Sequence, residues 1–208
     1  MSQIALPLVV RRRGDPARIV LGNANRHVAD ALQEPAGWPF GTAVLLGPPR
    51  AGKSLFARWF AASGQGEAID DADRLDETAL FHRWNRAQEE GRPLLLTARA
   101  PAWTIALPDL RSRIGAALTL EIGVPDDAMV ADLIEAHAAQ RGLALGEGAL
   151  TYLVPRAERG FAGIERLVAA IDRLSLERKA PATMSIWRDA LAAVMGPEQQ
   201  KLDFDPPN

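Results

Sequence analysis

The chain has 208 residues, 48% hydrophobic and 24% charged, with a formal net charge of −2. That composition fits one large globular domain or two small ones and offers no global basic field for nucleic acid. There is no cysteine, which excludes disulfides and thiolate metal sites, and His27, His82 and His137 are scattered. No apolar run approaches the ~20 residues of a membrane span and the N-terminus lacks the order of a signal peptide, so a cytoplasmic protein is expected.

Met1–Arg13 reads as a loose segment ending in Arg11-Arg12-Arg13, a basic run of the kind most often solvated. The apolar run Thr42-Ala43-Val44-Leu45-Leu46 predicts a buried strand, and Leu55–Ala62 predicts a helix. Between them stands Gly47-Pro48-Pro49-Arg50-Ala51-Gly52-Lys53-Ser54, which fits G-x-x-x-x-G-K-[ST] at every fixed position. In such a P-loop the glycines let backbone N–H groups turn inward onto phosphate oxygens, and the following helix adds its positive end. Lys53 can reach the outer phosphates and Ser54 can ligate magnesium.

Ala68-Ile69 predicts a short strand running into Asp70-Asp71, weakened by the polar Gly64–Glu67 before it. Asp70 would hold magnesium, directly or through water, and Asp71 could orient an attacking water. Taken alone, Asp70-Asp71-Ala72-Asp73 also has the composition of a solvated turn; its place after the P-loop favours the metal role. Pro93–Thr97 predicts a third strand ending in a hydroxyl, which could sit beside a terminal phosphate or cap a loop. In Leu107–Ile114, Arg113 can pair with Asp109 across one helical turn. Ala117–Ile122 predicts a fourth strand, and the alternation with helical patterns argues for an α/β layer with a mostly parallel sheet.

The pattern changes at Val124-Pro125-Asp126-Asp127. Helices are predicted over Ala128–Arg141, Glu147–Pro155, Phe161–Arg178 and Ser185–Met195, with Phe161, Ile164, Leu167, Val168, Ile171 and Leu174 on one face. Short loops make this a small bundle. The division expected is a flexible peptide over 1–13, an α/β nucleotide-binding subdomain over 14–124, a helical lid over 125–195 and a flexible tail over 196–208.

Several blocks occur in the order of one family. Gly22-Asn23-Ala24-Asn25-Arg26-His27-Val28-Ala29, Phe81-His82-Arg83-Trp84-Asn85, Arg92–Ala98 and Leu107-Pro108-Asp109-Leu110-Arg111-Ser112-Arg113-Ile114 resemble blocks of the AAA+ module of the bacterial initiator DnaA. The resemblance implies an AAA+ P-loop NTPase fold holding ADP or ATP with Mg2+. It implies that Gly22, Asn25 and His27 approach the base, and that Gly47, Pro48, Ala51, Gly52, Lys53, Ser54 and Leu55 contact the nucleotide. Ser54 and Asp70 are then the metal positions, Asp71 and Thr97 (sensor I) catalytic positions, and Arg113 an arginine finger working in trans.

Only Gly196–Asn208 follows the bundle, too short for DnaA's helix-turn-helix domain, so no sequence-specific DNA binding is expected. In this the chain resembles the Hda-type regulatory inactivators of DnaA. Members of that family begin with a clamp-binding peptide of the form Q-L-x-L-P-L, and this chain begins Gln3-Ile4-Ala5-Leu6-Pro7-Leu8. Gln3, Ile4, Leu6, Pro7 and Leu8 would dock as an extended segment, with the proline limiting the entropy lost. The implied partners are the sliding clamp, DnaA and a further copy of the chain.

The chain departs from the family in three places. The interval between Ser54 and Asp70 leaves room for one helix and one strand, so the sheet should have fewer strands than the full five. The lid arginine, sensor II, falls on Glu165, with Arg166 beside it and Arg159 as another candidate. Gln199-Gln200-Lys201-Leu202-Asp203-Phe204 fits a relaxed clamp pattern or a solvated acidic tail. The expected function is an Hda-like negative regulator that stimulates hydrolysis of DnaA-bound ATP. The alternatives are an ATPase turning over its own ATP for a loading or remodelling step, a DNA-binding initiator fragment, and a scaffold bridging clamp and partner.

Overall fold

A computed structural model of the chain describes residues 3–5, 18–99 and 103–199. The chain divides into two compact units, Met1–Gly123 and Val124–Asn208.

In the first unit β1 (Gln3–Ala5) pairs antiparallel with β2 (Arg18–Val20), Gln3 opposite Val20 and Ala5 opposite Arg18. Helix α1 (Arg26–Gln33) buries Val28, Ala29 and Leu32, one apolar face at helical spacing. The P-loop strand, β3 (Thr42–Gly47), is buried along almost its whole length, as a strand covered on both faces must be. It is followed by α2 (Lys53–Ala62), β4 (Glu67–Ile69), α3 (Glu77–Glu89), β5 (Leu94–Arg99), α4 (Pro108–Gly115) and β6 (Leu118–Glu121). The sheet order is β4-β5-β3-β6, with every pair parallel. Among the described residues the sheet has four strands, in agreement with the expectation of a sheet short of five.

Gly66 shows how the short link between α2 and β4 is made. A Cβ there would lie 2.3 Å from the Pro93 carbonyl oxygen and 2.8 Å from the Phe60 ring. Glu67 N–H donates to the same Pro93 carbonyl at 2.8 Å. The chain therefore leaves α2 and joins β5 at once, through a gap only glycine fits. Behind the sheet, Val44, Leu94 and Leu96 belong to one core with Leu80, Trp84 and Ala87 of α3 and Leu110 and Ile114 of α4. Burying such side chains contributes about 1.5–3 kcal/mol each for the larger ones, before the entropy cost.

The second unit is helical: α5 (Asp127–Arg141), α6 (Ala149–Leu153), α7 (Phe161–Arg178) and α8 (Met184–Gln199). Asp126 caps α5 by accepting Met129 N–H at 2.9 Å, and Gly142 ends it in the left-handed region. Helix α7 buries Phe161, Ile164, Leu167, Val168 and Ile171 and packs on both α5 and α8, while Leu174 is half-buried. The segment predicted as one helix over Glu147–Pro155 is instead α6 followed by a 3-10 turn over Val154–Arg156, because Pro155 lacks the N–H an α-helix needs. Helix α8 runs to Gln199, past the boundary at 195 drawn from the sequence.

Candidate functional site

Parallel pairing brings the C-terminal ends of β3, β4 and β5 to one edge of the sheet, where ligands of open α/β sheets bind. Leu96 of β5 lies opposite both Val44 of β3 and Ile69 of β4. Thr97 follows it, the P-loop follows β3, and Asp70-Asp71 follows β4.

The P-loop turns into α2 at Gly52, whose φ of 90° is open to glycine and strained for other residues. Lys53 is buried, and its ammonium donates to the Gly47 carbonyl at 2.7 Å and the Pro48 carbonyl at 3.0 Å. Burial holds the Lys53 pKa below its ordinary value, against the opposing charges of Asp71, Asp70 and Asp73. Ala51 and Leu55 are buried beneath the loop, their N–H groups donating to Pro48 and Gly52 carbonyls, while Ser54 and Pro48 are half-buried.

Thr97 is fully buried, and its hydroxyl locks the acidic corner. It donates to Asp70 Oδ1 at 2.6 Å and accepts Asp71 N–H at 2.9 Å. Asp71 itself sits at φ 49°, a left-handed conformation that Asp takes more readily than most residues. Its carboxylate lies 3.4 Å from the Arg74 guanidinium. Asp73 was not singled out from the sequence, yet its charge acts on Lys53 and its Oδ1 is buried without a hydrogen-bond partner. The run Asp70-Asp71-Ala72-Asp73 was the available signal, and nothing in it distinguished Asp73 from a turn residue.

The loop Gly22–His27 is clipped to β6, next to the P-loop strand. Asn25 is buried with its amide satisfied: Oδ1 accepts Gly22 N–H at 3.0 Å and Nδ2 donates to the Val20 carbonyl at 2.9 Å. Gly123 N–H donates to the Ala24 carbonyl at 2.9 Å. His27 Nε2 lies 2.9 Å from the Glu121 carbonyl oxygen, so that nitrogen carries the proton. Glu121 stands opposite Leu46, one residue before Gly47, which places Gly22–His27 beside the P-loop.

Donors available to a metal here are hard oxygens, the Ser54 hydroxyl and the Asp70 carboxylate. That set suits Mg2+, which takes one or two carboxylates and completes its shell with phosphate and water oxygens. Among the described residues no group of three or more His, Cys, Asp or Glu is placed to hold a metal by itself.

Arg113 has no ion pair with Asp109. Its Cζ stands 4.4 Å from the centroid of the Trp84 ring and 5.0 Å from that of Phe81. In the second unit Arg166 pairs with Glu158 at 2.7 Å and Arg159 with Asp127 at 2.6 Å. Of the N-terminal peptide, Gln3, Ile4 and Ala5 are the residues of β1, and Leu6, Pro7 and Leu8 lie outside the described residues. Gln199 ends α8, and 200–204 lie outside the described residues. Among the described residues no helix is long and apolar enough to cross a membrane.

No protein-family model matches the chain. Among solved structures, domain III of the Thermotoga maritima replication initiation protein DnaA is similar with a TM-score of 0.69 at 13% identity, covering 86% of this chain and 95% of that one. A replication initiator DnaA bound to AMPPCP and single-stranded DNA gives 0.59 at 15% identity, covering 77% of this chain and 66% of that one. The Thermotoga maritima RuvB Holliday junction branch migration motor gives 0.60 at 20% identity, covering 81% and 67%. At these identities the likeness is one of fold: the chain shares with these structures a parallel α/β sheet followed by helices.

Proposed function

We propose that this chain is an Hda-like negative regulator of replication initiation, a nucleotide-binding AAA+ module that stimulates ATP hydrolysis on a DnaA-type partner. The observation that carries the nucleotide reading is the convergence of Lys53, Asp70, Asp71 and Thr97 at one sheet edge, with Gly22–His27 clipped alongside. The solved initiator with AMPPCP has the same fold, which supports an adenine nucleotide as the ligand.

In this reading the P-loop N–H groups and Lys53 bind the phosphates of ADP or ATP, and Asn25 and His27 hold the loop that meets the base. Lys53 must exchange its two carbonyl bonds for phosphate oxygens, a trade a charged donor makes readily. Ser54 and Asp70 hold Mg2+, which neutralises phosphate charge when bound with the nucleotide. Thr97 keeps Asp70 and Asp71 in place from below. The bound nucleotide shapes the surface offered to the partner. Gln3–Leu8 tethers the chain to the sliding clamp on DNA, and Arg113 enters the partner's nucleotide site to stabilise charge on the transferring phosphoryl group. Arginine fingers contribute on the order of 10³–10⁵ in rate.

The test is hydrolysis of DnaA-bound ATP in the presence of clamp-loaded DNA. Arg113→Ala should retain nucleotide and clamp binding and lose the stimulation. Equal stimulation by wild type and variant would refute the finger.

A further inference from the structure

Helix α4, which carries Arg113, is registered on α3 at several heights. At its start, the Glu77 carboxylate accepts Ala106 N–H at 2.8 Å and Leu107 N–H at 2.6 Å. Along its length, Leu110 and Ile114 are buried in the core shared with Leu80 and Trp84. Near its end, the Arg113 guanidinium stands over the Trp84 and Phe81 rings. Trp84 cannot drift: it is 5% exposed, and its Nε1–H donates at 3.1 Å to Thr42 Oγ1 on the P-loop strand. Among the described residues the Arg113 guanidinium has no carboxylate or hydrogen-bond partner, although Asp109 lies one turn away.

We infer that Phe81 and Trp84 are positioning residues for Arg113, an aromatic shelf that fixes the guanidinium without using its donors. This rests on the reading of Arg113 as the group that meets a partner's phosphate. An aromatic face attracts a cation through its quadrupole and leaves all the N–H groups unspent. A carboxylate in the same place would occupy the N–H fork and offset its charge. The shelf therefore restricts a rotamer-rich side chain before docking, and less entropy remains to be lost when a phosphate arrives. The fork stays open for bidentate recognition of phosphoryl oxygens. The same geometry explains why a half-buried arginine here does without a salt bridge.

Phe81→Leu keeps an apolar group of similar bulk on the core edge and removes the ring; Phe81→Tyr keeps the ring. With full-length protein and ATP-loaded DnaA on clamp-loaded DNA, Phe81→Leu should lower the maximal stimulated rate about three- to tenfold, leaving the half-saturating concentration unchanged. Phe81→Tyr should restore it. The δ-methylene protons of Arg113 should show an upfield ring-current displacement in wild type that shrinks in Phe81→Leu, a readout that needs no partner. Unchanged maximal stimulation in Phe81→Leu, with Arg113→Ala inactive, would overturn the shelf alone. A raised half-saturating concentration with an unchanged rate would also overturn it, by making Phe81 a docking residue. Absence of the ring-current displacement in wild type would do the same. If Arg113→Ala stimulates like wild type, or wild type does not stimulate at all, the finger reading fails and the shelf falls with it.

Discussion

Thr97 joins two strands' worth of chemistry through one oxygen. Its hydroxyl donates to Asp70 Oδ1 and accepts the backbone N–H of Asp71, so the Asp70 carboxylate and the Asp71 backbone are held by one side chain with no exposure to solvent. Thr97→Val preserves the shape and leaves a donor and an acceptor unpaired. It should lower stability by about 1–3 kcal/mol in urea unfolding and weaken Mg2+-dependent nucleotide binding; a stability within error of wild type would show that the corner does not depend on the hydroxyl. Thr97, Asp70 and the P-loop were legible because fixed spacing and strand ends announce them. Asp73 and the aromatic shelf were not, since their roles come from side chains meeting across elements. The Asp109–Arg113 pair that helix spacing permits does not form for the same reason: two ring faces on α3 compete for the guanidinium, and local helix spacing contains no trace of them.

At the scale of elements, the link from α2 to β4 is the most constrained piece of backbone. Gly66→Ala would drive a methyl into the Pro93 carbonyl and the Phe60 ring, and should cost about 1–3 kcal/mol or more, measured by thermal or urea unfolding. A neutral result would mean that β4 and β5 can part without loss. Next to it, Glu67 pairs with Arg83 and Arg86 of α3. Burial alone would raise the Glu67 carboxyl; the Arg83 hydrogen bond and the charges of Arg83, Arg86 and Arg92 outweigh it and hold the pKa below 4.5. A carboxyl with a depressed folded pKa contributes stability that is present above the ordinary value and lost as pH falls through the folded one. Glu67→Gln should therefore be less stable than wild type by about 1 kcal/mol at neutral pH, and the gap should close on acidification below 4.5. A gap independent of pH would remove the ion pair as its cause. The four strands of the sheet could be read from apolar runs, whereas α3 was hard to see: only Leu80, Trp84 and Ala87 are buried in a helix otherwise rich in charge. The strand pair β1-β2 depends on long-range pairing that three-residue segments do not advertise.

For the whole molecule, the order of an α/β unit followed by a helical one was legible because alternating apolar runs give way to purely helical periodicity at Val124-Pro125, where the two compact units divide. A ligand that binds only the native chain must stabilise it. ADP at 100 times its Kd should add about 2.7 kcal/mol, seen as a rise in Tm that Lys53→Ala greatly reduces. No rise in wild type would remove the nucleotide site. Whether the chain acts on another protein's nucleotide is decided by putting the label in only one of the two sites. DnaA is loaded with ATP carrying a labelled γ-phosphate, this chain is pre-loaded with unlabelled ADP, and the two are mixed on clamp-loaded DNA. Labelled phosphate should be released rapidly, and that release should require Arg113 in this chain. Release at the basal rate of DnaA, with this chain alone turning over added ATP, would contradict action on the partner's nucleotide.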